Sequence, residues 1–402
     1  MTDLTCYACG ATADLGAARC DCGEPLWLDV DPTDFSWETT SGERMWQYGG
    51  LLPDVLPREG GRVVPPAGVS RAAGGTPLVR TEQLDDDVGA RLHVKDEGRN
   101  PTGSFKDRGS ALGVAYAVAT GEATVGTVSH GNMAMSMAAH AASVDRDCVV
   151  FVPADIAAER LRNIGQYDPT LVRVAGDYGR LYERSLELGR DHGVHFVNSD
   201  APLRVEGQKT TVVEICGAFA PDVPDAIVMP VSSGGHASGA WKAVRELREA
   251  GAIDSVPRLY FVQAAACAPI AEAYARGDDE VRPVEGGETV AYSIANADPP
   301  SGTRALAAAR DTEGGVVAVD DEAILDAKRA LAARAGLSVE TASATTLAGA
   351  RLLGERGAFG DDEDVVLVAT GSGFKESASG DVPEPPTVAI EDLDERLASG
   401  RL

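Results

Sequence analysis

The sequence predicts an α/β protein in which an open, mostly parallel sheet carries helices on both faces. Short apolar runs alternate with alanine-rich amphipathic stretches between residues 92 and 373, a rhythm typical of βαβ units. Three polar loops of small residues each follow one of these runs and precede a helix. Sheets of this kind bind ligands at such loops, which lie at the carboxyl ends of the strands. The runs are LHVKDE, TVGTVSH, CVVFVPA, LVRVAG, VHFVNS, AIVMPVSS, RLYFVQA, GVVAVD and VVLVATGSG.

Length and charge limit the classes of function. A chain of 402 residues, 44% of them hydrophobic, is long enough for at least two folded units. Acidic residues outnumber basic ones by 62 to 36, which gives a net charge of -26. Such a surface repels nucleic acid and anionic membranes, so we expect neither as a partner. High acid content with few lysines also suggests a halophilic source.

The N-terminal residues and the cysteine count predict a cytoplasmic protein. MTDLTCYACG lacks a basic start followed by an apolar run, so we expect no signal peptide. No segment approaches the roughly 18 apolar residues of a membrane span. Seven cysteines, an odd number, favour metal binding or free thiols in a reducing compartment over a disulfide framework.

Four cysteines near the N terminus predict a small metal-binding knuckle over residues 1–30. Cys6 and Cys9 form a C-x-x-C pair, Cys20 and Cys22 form a C-x-C pair, and a glycine follows each pair. Glycine allows backbone amides to turn toward thiolate sulfurs, as in zinc knuckles. Four thiolates leave no open coordination position, so a bound Zn²⁺ would be structural. Four unligated surface thiols are the alternative.

Lys106 lies in the first of the three polar loops, GSFKDRG, ahead of SHGNMAMS and SSGGHASG. A strand, a turn of small residues and a helix N terminus together present backbone amides to an anion. Lys106 could simply begin an exposed helix. A partly buried lysine, however, has a lowered pKa, and its neutral amine forms Schiff bases with carbonyl compounds. Beside a phosphate-binding loop, the carbonyl compound to expect is pyridoxal phosphate.

The sequence resembles the threonine synthases, members of the tryptophan-synthase-β-like, or fold type II, pyridoxal-phosphate enzymes. The resemblance covers about residues 4–377, and the segments that carry it are WQYGGLLP, GGTPLV, NPTGSFKDRG, SHGN, LRVEGQKT, SSGGHASG, VETASATTLAG and TGSGFKE. It implies two doubly wound sheets with the cofactor between two domains. The large domain would comprise residues 31–110 and 205–377, and the small domain residues 111–204. Residues 378–402 form an acidic, proline-rich tail, and a homodimer is expected.

The resemblance also implies a role for each matching residue. Lys106 would hold the cofactor and shuttle protons, and Asn132 would bind its 3-hydroxyl. Thr370, or alternatively Ser372, would place a neutral hydroxyl at the pyridine nitrogen. The residues expected around the cofactor phosphate are Ser232, Ser233, Gly234, Gly235, His236, Ala237 and Ser238. Those expected around a small phosphorylated amino-acid substrate are Ser104, Ser129, Arg204 and Lys209, with Lys95 as a further candidate.

Three functions remain open on the sequence alone. The first is conversion of O-phospho-L-homoserine and water to L-threonine and phosphate. The second is β-replacement or elimination on another amino acid, as in cysteate or cysteine synthases or in threonine or serine dehydratases. This second function stays open because the sequence departs from the family pattern at His130, Met133, Ser233 and His236. The third is a binding protein without turnover, which the retained lysine, asparagine and threonine disfavour.

Overall fold

All nine apolar runs form strands, and they divide between two sheets. The structure is a computed structural model that describes residues 3–14, 17, 19–176, 178–376, 385 and 387–399. Its strands are β1 (Leu4–Cys6), β2 (Thr12–Ala13), β3 (Leu26–Leu28), β4 (Arg58–Glu59), β5 (Arg62–Val63), β6 (Leu78–Arg80), β7 (Arg91–Asp96), β8 (Thr124–Val128), β9 (Asp147–Pro153), β10 (Thr170–Val174), β11 (Val194–Phe196), β12 (Ala226–Pro230), β13 (Arg258–Ala264), β14 (Gly315–Val319) and β15 (Asp364–Ala369).

The helices follow the strands in the alternation that the sequence predicts. The α-helices are α1 (Lys106–Thr120), α2 (Asn132–Ala142), α3 (Ala158–Gly165), α4 (Tyr178–His192), α5 (Pro202–Phe219), α6 (Gly235–Glu249), α7 (Pro269–Arg276), α8 (Gly302–Asp311), α9 (Asp321–Ala335), α10 (Thr341–Glu355) and α11 (Leu393–Ser399). Short 3-10 helices lie at Trp37–Thr39, Arg44–Leu51, Gly68–Ala72, Glu82–Asp87, Glu97–Arg99, Tyr292–Ile294, Gly373–Lys375 and Ile390–Asp392. Within the described residues, no helix is both long and apolar enough to cross a bilayer.

The larger sheet has the strand order β14-β13-β12-β15-β7-β6, and every neighbouring pair is parallel except β6 with β7. Its central strand β12 is buried along its whole length. Ile227 and Met229 pack into the core on one face, and Ala226 and Val228 pack into the core on the other. Burial on both faces explains why this strand reads as a continuous apolar run.

The smaller sheet has the order β10-β9-β8-β11 and is parallel throughout. Cys148, Val150 and Val152 of β9 alternate with more exposed residues, and these three face the core beneath α2. The three-stranded antiparallel sheet β2-β1-β3 lies within residues 1–30, as the knuckle predicts. The predicted domain boundaries at residues 110 and 204 fall inside α1 and α5, the helices along which the chain crosses from one sheet to the other.

Helices α1 and α5 are in close contact directly beneath the predicted site. A Cβ on Gly207 of α5 would lie 2.3 Å from the carbonyl oxygen of Arg108, a separation that only glycine permits. Likewise, a Cβ on Gly109 of α1 would lie 2.5 Å from the Cγ atom of Arg204. The two glycines therefore let α5 support the first turn of α1, which carries Lys106.

Candidate active site

A cleft of about 1360 Å³ lies at the carboxyl ends of the strands of both sheets. Most of the predicted site residues line it, namely Lys106, Ser129, Asn132, Ser232, Ser233, Gly234, Gly235, His236, Ala237 and Thr370. The predicted residues that do not line it are Ser104, Arg204, Lys209 and Ser238. The structure thus brings together all the residues predicted for the cofactor except Ser238. Of the four predicted for the substrate, Ser129 alone lines the cleft.

Lys106 is the first residue of α1 and its amine lies 4.4 Å from the centre of the Phe105 ring. Burial and, to a lesser extent, the Arg204 guanidinium lower the pKa of this amine to about 7, and Glu340 partly opposes the shift. At neutral pH a large fraction of Lys106 therefore carries no proton. A neutral amine in a cleft is the nucleophile that carbonyl chemistry needs.

Asp107, the next residue, ties the Lys106 loop to helix α2. Its carboxylate accepts hydrogen bonds of 2.6 Å from the Thr102 amide, the Thr102 hydroxyl and the Ser136 hydroxyl, and His140 Nε2 lies 3.3 Å away. Burial opposes ionisation of Asp107, but these partners hold its pKa below the usual range. Ser136 lies one turn after Asn132, so a single buried carboxylate fixes Lys106 relative to α2.

Arg108 ties the same loop to the larger sheet and to α5. Its guanidinium donates to Glu97 and to Glu214, at 2.7 Å in each case, and all three side chains are almost completely buried. Lys95 donates to Glu214 and to the Thr76 carbonyl at 2.7 Å, so its charge is used inside this network and not in the cleft. Burial opposes ionisation of Glu214, yet Arg108 and Lys95 lower its pKa to about 2.

A glycine turn joins β12 to α6 and exposes backbone amides to the cleft. Gly234 has a φ of 85°, in the left-handed region that favours glycine, and a Cβ there would lie 2.3 Å from the Ser301 carbonyl oxygen. A Cβ on Gly235 would lie 2.4 Å from the Ser199 carbonyl oxygen. Since the first amides of a helix have no carbonyl partner within it, those at the start of α6 are available to an anion.

Asn132, the first residue of α2, is held by two residues that the sequence reasoning did not assign. Its Nδ2 donates to both carboxylate oxygens of Glu340, at 2.8 and 2.9 Å, and Lys375 Nζ donates to its Oδ1 at 2.8 Å. Lys375 also forms an ion pair with Glu340 at 3.1 Å. Glu340 and Lys375 stand in VETASATTLAG and TGSGFKE, so the motifs contained both residues without indicating their partners.

Thr370 lies at the end of β15, where its Oγ1 is 3.0 Å from the Ser343 hydroxyl. Ser343 Oγ also accepts a hydrogen bond of 3.0 Å from the Gly371 amide. Ser372, the alternative to Thr370, instead uses its Oγ to accept from the Phe374 amide in the following 3-10 helix. Of the two hydroxyls, only that of Thr370 belongs to a residue that lines the cleft.

Arg204 and Lys209 lie on α5 but do not line the cleft. Arg204 is fully buried, and its Nε and one terminal nitrogen donate to the Val197 carbonyl at 3.1 and 2.8 Å. Burial lowers the pKa of Arg204 to about 9. Lys209 is also fully buried and forms ion pairs with Glu206 and, at 2.5 Å, with Glu246 of α6.

Ser104 and Ser129 differ in their access to the cleft. Ser104 is fully buried, and its hydroxyl has no hydrogen-bond partner among the residues that the structure describes. Ser129 lines the cleft, where its hydroxyl accepts a weak hydrogen bond of 3.3 Å from the Gly131 amide.

The histidines that depart from the family pattern are both neutral. The imidazole of His236 stacks on Phe105 with ring centres 4.2 Å apart, and its Nε2 lies 3.2 Å from the Thr211 hydroxyl. Burial, with the nearby charges of Lys106 and Arg108, holds its pKa well below the usual range. Burial and Arg160 lower the pKa of His130 as well. The stacking makes His236 a packing partner of Phe105, the residue before Lys106.

Gln208 is a further polar residue of the cleft that the sequence reasoning did not single out. It lies on α5 and is almost completely buried, and neither atom of its carboxamide has a partner within the described part of the chain. A buried amide without partners is costly. Gln208 is thus a site where a polar ligand group can bind.

The four N-terminal cysteines converge, as the spacing predicts. Their Sγ atoms all lie within 4.8 Å of one another, with 3.6 Å between Cys6 and Cys22 and 3.5 Å between Cys9 and Cys20. Sulfurs bound tetrahedrally at about 2.3 Å from zinc lie roughly 3.8 Å apart. The donor set and its spacing fit a closed tetrahedral metal site.

Comparisons with known proteins identify relatives over most of the chain. Residues 69–371 match the family described as pyridoxal-phosphate dependent enzyme. The threonine synthase of Methanocaldococcus jannaschii is 34% identical over 382 residues, which cover 92% of this chain and 92% of that protein. The threonine synthase of Methanosarcina acetivorans is 34% identical over 404 residues, which cover 98% of this chain and 97% of that protein.

Solved structures share the fold at lower sequence identity. Maize serine racemase superposes with a TM-score of 0.64 at 20% identity and covers 81% of this chain and 92% of its own. The processed threonine deaminase isoform 2 of Solanum lycopersicum has the same TM-score and identity and covers 84% and 91%. At this identity the likeness concerns the two-sheet architecture alone.

Proposed function

Because this chain belongs to the family of pyridoxal-phosphate-dependent enzymes, we propose that it acts as a threonine synthase, converting O-phospho-L-homoserine and water into L-threonine and phosphate. The observation that carries the proposal is that Lys106, an amine with a pKa of about 7, shares one cleft with the glycine turn at the start of α6. Two relatives that bear the name threonine synthase, similar over nearly their whole lengths, support the choice of reaction.

The residues of the cleft fit the cofactor. Gly234 and Gly235 line the cleft at the start of α6, whose first amides have no carbonyl partner within the helix, so a phosphate would bind there. Gln208 offers a buried carboxamide without a partner among the described residues. Lys106 would hold the cofactor aldehyde and Thr370 the pyridine nitrogen. Asn132 would bind the ring hydroxyl after its amide releases one of the two Glu340 oxygens.

When bound, pyridoxal phosphate supplies an electron sink for negative charge on the substrate carbon that bears the amino group. Once the substrate amine has displaced it from the aldehyde, Lys106 Nζ would accept the proton from Cα and, after releasing that proton to water in the cleft, would accept a proton from Cβ. Thr370 would present an uncharged hydroxyl to the pyridine nitrogen, which favours elimination and replacement over transamination. Glu340 and Lys375 keep the Asn132 amide in one orientation.

The substrate phosphate calls for a revised set of residues. Ser129 and the N terminus of α2 line the cleft and can donate to phosphate oxygens. Arg204 would have to give up its hydrogen bonds to the Val197 carbonyl to do so. We assign to Arg204 the role of lowering the pKa of Lys106 and to Lys209 a structural role between α5 and α6.

A product assay across phosphorylated amino acids tests the proposal. With pyridoxal phosphate present, the protein should release phosphate from O-phospho-L-homoserine and form threonine. Borohydride reduction should fix the cofactor on Lys106, which mass spectrometry can locate. Lys106→Ala should lose both the adduct and the product, whereas Lys328→Ala, in which the removed amine is paired with Glu376 at 2.8 Å, should keep both.

Turnover of phosphoserine with sulfite or sulfide, and none of phosphohomoserine, would replace this proposal with β-replacement. A colourless protein that takes up no cofactor would leave only a binding function.

We also propose that the four N-terminal cysteines bind one structural Zn²⁺. The sulfur separations support zinc binding. Because four thiolates fill the coordination sphere, no position is left for a substrate, so this zinc would be structural. We expect atomic emission to find one zinc per chain. Cys20→Ser should lose this zinc, whereas Cys148→Ser, which changes a cysteine outside the cluster, should keep it. The homodimer remains a prediction, which light scattering can check.

A further inference from the structure

Three segments of the chain surround the glycine turn of the cofactor site. The Ser301 carbonyl lies against Gly234, and the Ser199 carbonyl lies against Gly235. The third segment is the end of the first turn of α6, where the Ser238 amide donates to the Gly234 carbonyl at 2.8 Å. The position of the turn's free amides is therefore set by these three neighbours.

The cysteine knuckle contacts the third of these segments through a tryptophan. Trp27 Nε1 of β3 donates to the Ser238 hydroxyl at 2.8 Å, and this contact is buried. Arg304 donates to the same hydroxyl at 2.7 Å. Because both partners donate, the Ser238 oxygen faces the knuckle and not the cleft, which explains why Ser238 does not line the cleft.

The knuckle also holds the other two segments. Arg304, which lies on α8 one turn after Ser301, donates to the Pro25 carbonyl in the knuckle. Arg19, the residue before Cys20, forms an ion pair of 3.3 Å with Asp200, which follows Ser199. Each of the three segments is thus linked to the knuckle by at least one side chain.

Arg304 would be costly to bury without the knuckle. Its guanidinium is fully buried and has no carboxylate within ion-pair distance among the described residues. It instead lies 4.8 Å from the centre of the Tyr7 ring and 5.1 Å from that of Trp27, in the geometry of cation–π contacts. Burial lowers its pKa to about 10. Tyr7 and Trp27 both belong to the knuckle, so an ordered knuckle stabilises this charge.

The strand register connects these contacts to the cysteines. Cys6 of β1 pairs with Leu26 of β3, directly beside Trp27, and Cys20 and Cys22 lie just before that strand. A metal held by the four thiolates would fix β1 against β3 and with them the Trp27 indole.

We propose that the cysteine knuckle positions the cofactor-phosphate turn through Trp27, Arg304 and Arg19, so that metal occupancy of the cysteines strengthens the binding of pyridoxal phosphate. This inference rests on the function proposed above for residues 232–238. Linkage makes the coupling reciprocal, so bound cofactor strengthens metal binding by the same factor.

The test measures cofactor affinity and not turnover. The dissociation constant of pyridoxal phosphate is obtained by spectroscopic titration of the full chain with zinc bound and after zinc removal by a chelator. We expect zinc removal to raise this constant at least about tenfold. Trp27→Phe, which deletes the hydrogen bond to Ser238, should raise it about fivefold, the worth of one hydrogen bond. Zinc should in turn be harder to chelate when the cofactor is bound.

Trp37→Phe is the matched control, because Trp37 Nε1 also donates a hydrogen bond of 2.8 Å, but to the Ala252 carbonyl away from the turn. It should leave the dissociation constant unchanged. Equal losses in both tryptophan variants, or an unchanged constant after zinc removal, would overturn the inference while the proposed function stood. If the zinc-loaded wild type bound no cofactor at Lys106, the proposed function would fail first.

Discussion

The depressed pKa of Lys106 makes a quantitative prediction for capture of the cofactor by the apoprotein. An ordinary lysine, with a pKa of 10.5, is neutral in about one molecule in 3,000 at pH 7, whereas Lys106, with a pKa of about 7, is neutral in about half. The capture rate should therefore exceed that of a free lysine of equal intrinsic reactivity by roughly three orders of magnitude. It should rise about tenfold per pH unit below pH 7 and level off above.

Stopped-flow absorbance of the apoprotein mixed with pyridoxal phosphate over a range of pH gives this profile. A model amine measured in parallel corrects for ionisation of the cofactor itself. Glu340→Gln should move the midpoint to lower pH, because the Glu340 carboxylate raises the pKa of Lys106. A corrected rate that keeps rising to pH 9 or above would refute the argument, since it would mean that the amine is solvated as in a free lysine.

Three further changes have calculable outcomes. Gly234→Ala should weaken cofactor binding at least tenfold by titration, because its Cβ would meet a carbonyl oxygen at 2.3 Å; Gly121→Ala, at a φ of 79° in open space, should leave binding unchanged. Arg108→Met should lower the free energy of unfolding in urea by about 3–5 kcal/mol, since it leaves buried Glu97 without its cationic partner and Glu214 with Lys95 alone; Arg80→Met, which breaks a partly exposed pair, should cost about 1 kcal/mol or less. Lys106→Met should stabilise the apoprotein by about 2–4 kcal/mol below pH 7. That gain should vanish as the pH approaches 10.5, because between about pH 7 and 10.5 the lysine is protonated only in the unfolded state, so raising the pH removes the cost of burying its charge. A gain independent of pH would contradict this prediction.

Strands and turns could be predicted because their signals are local. The nine apolar runs appear as β7 to β15, and Gly234 and Gly235 stand where the backbone needs a left-handed turn and a close approach. Each apolar run, and the glycine pair of the turn, is visible within a few residues of sequence, although the carbonyls that exclude a side chain at Gly234 and Gly235 belong to the distant Ser301 and Ser199. Lys106 could be predicted for the same reason, as a lysine between a polar turn and a helix of small residues.

Charged side chains were harder to place, because their partners come from distant segments. Lys209 was expected at the substrate, but Glu206 and Glu246 hold it between two helices. Glu340 contacts Asn132 across 208 positions of sequence. A residue's type gives its charge, but only the tertiary fold decides which opposite charge neutralises it.

The long sequence separation between the knuckle and its partners affects the order of events during protein synthesis. The knuckle is synthesised well before Arg304, which lies 279 positions after Pro25. The rings of Tyr7 and Trp27 gain their contacts in two steps, first with Trp241 and later with Arg304. The proposed phosphate-binding turn can therefore complete its contacts with the knuckle only after residue 304 has been made.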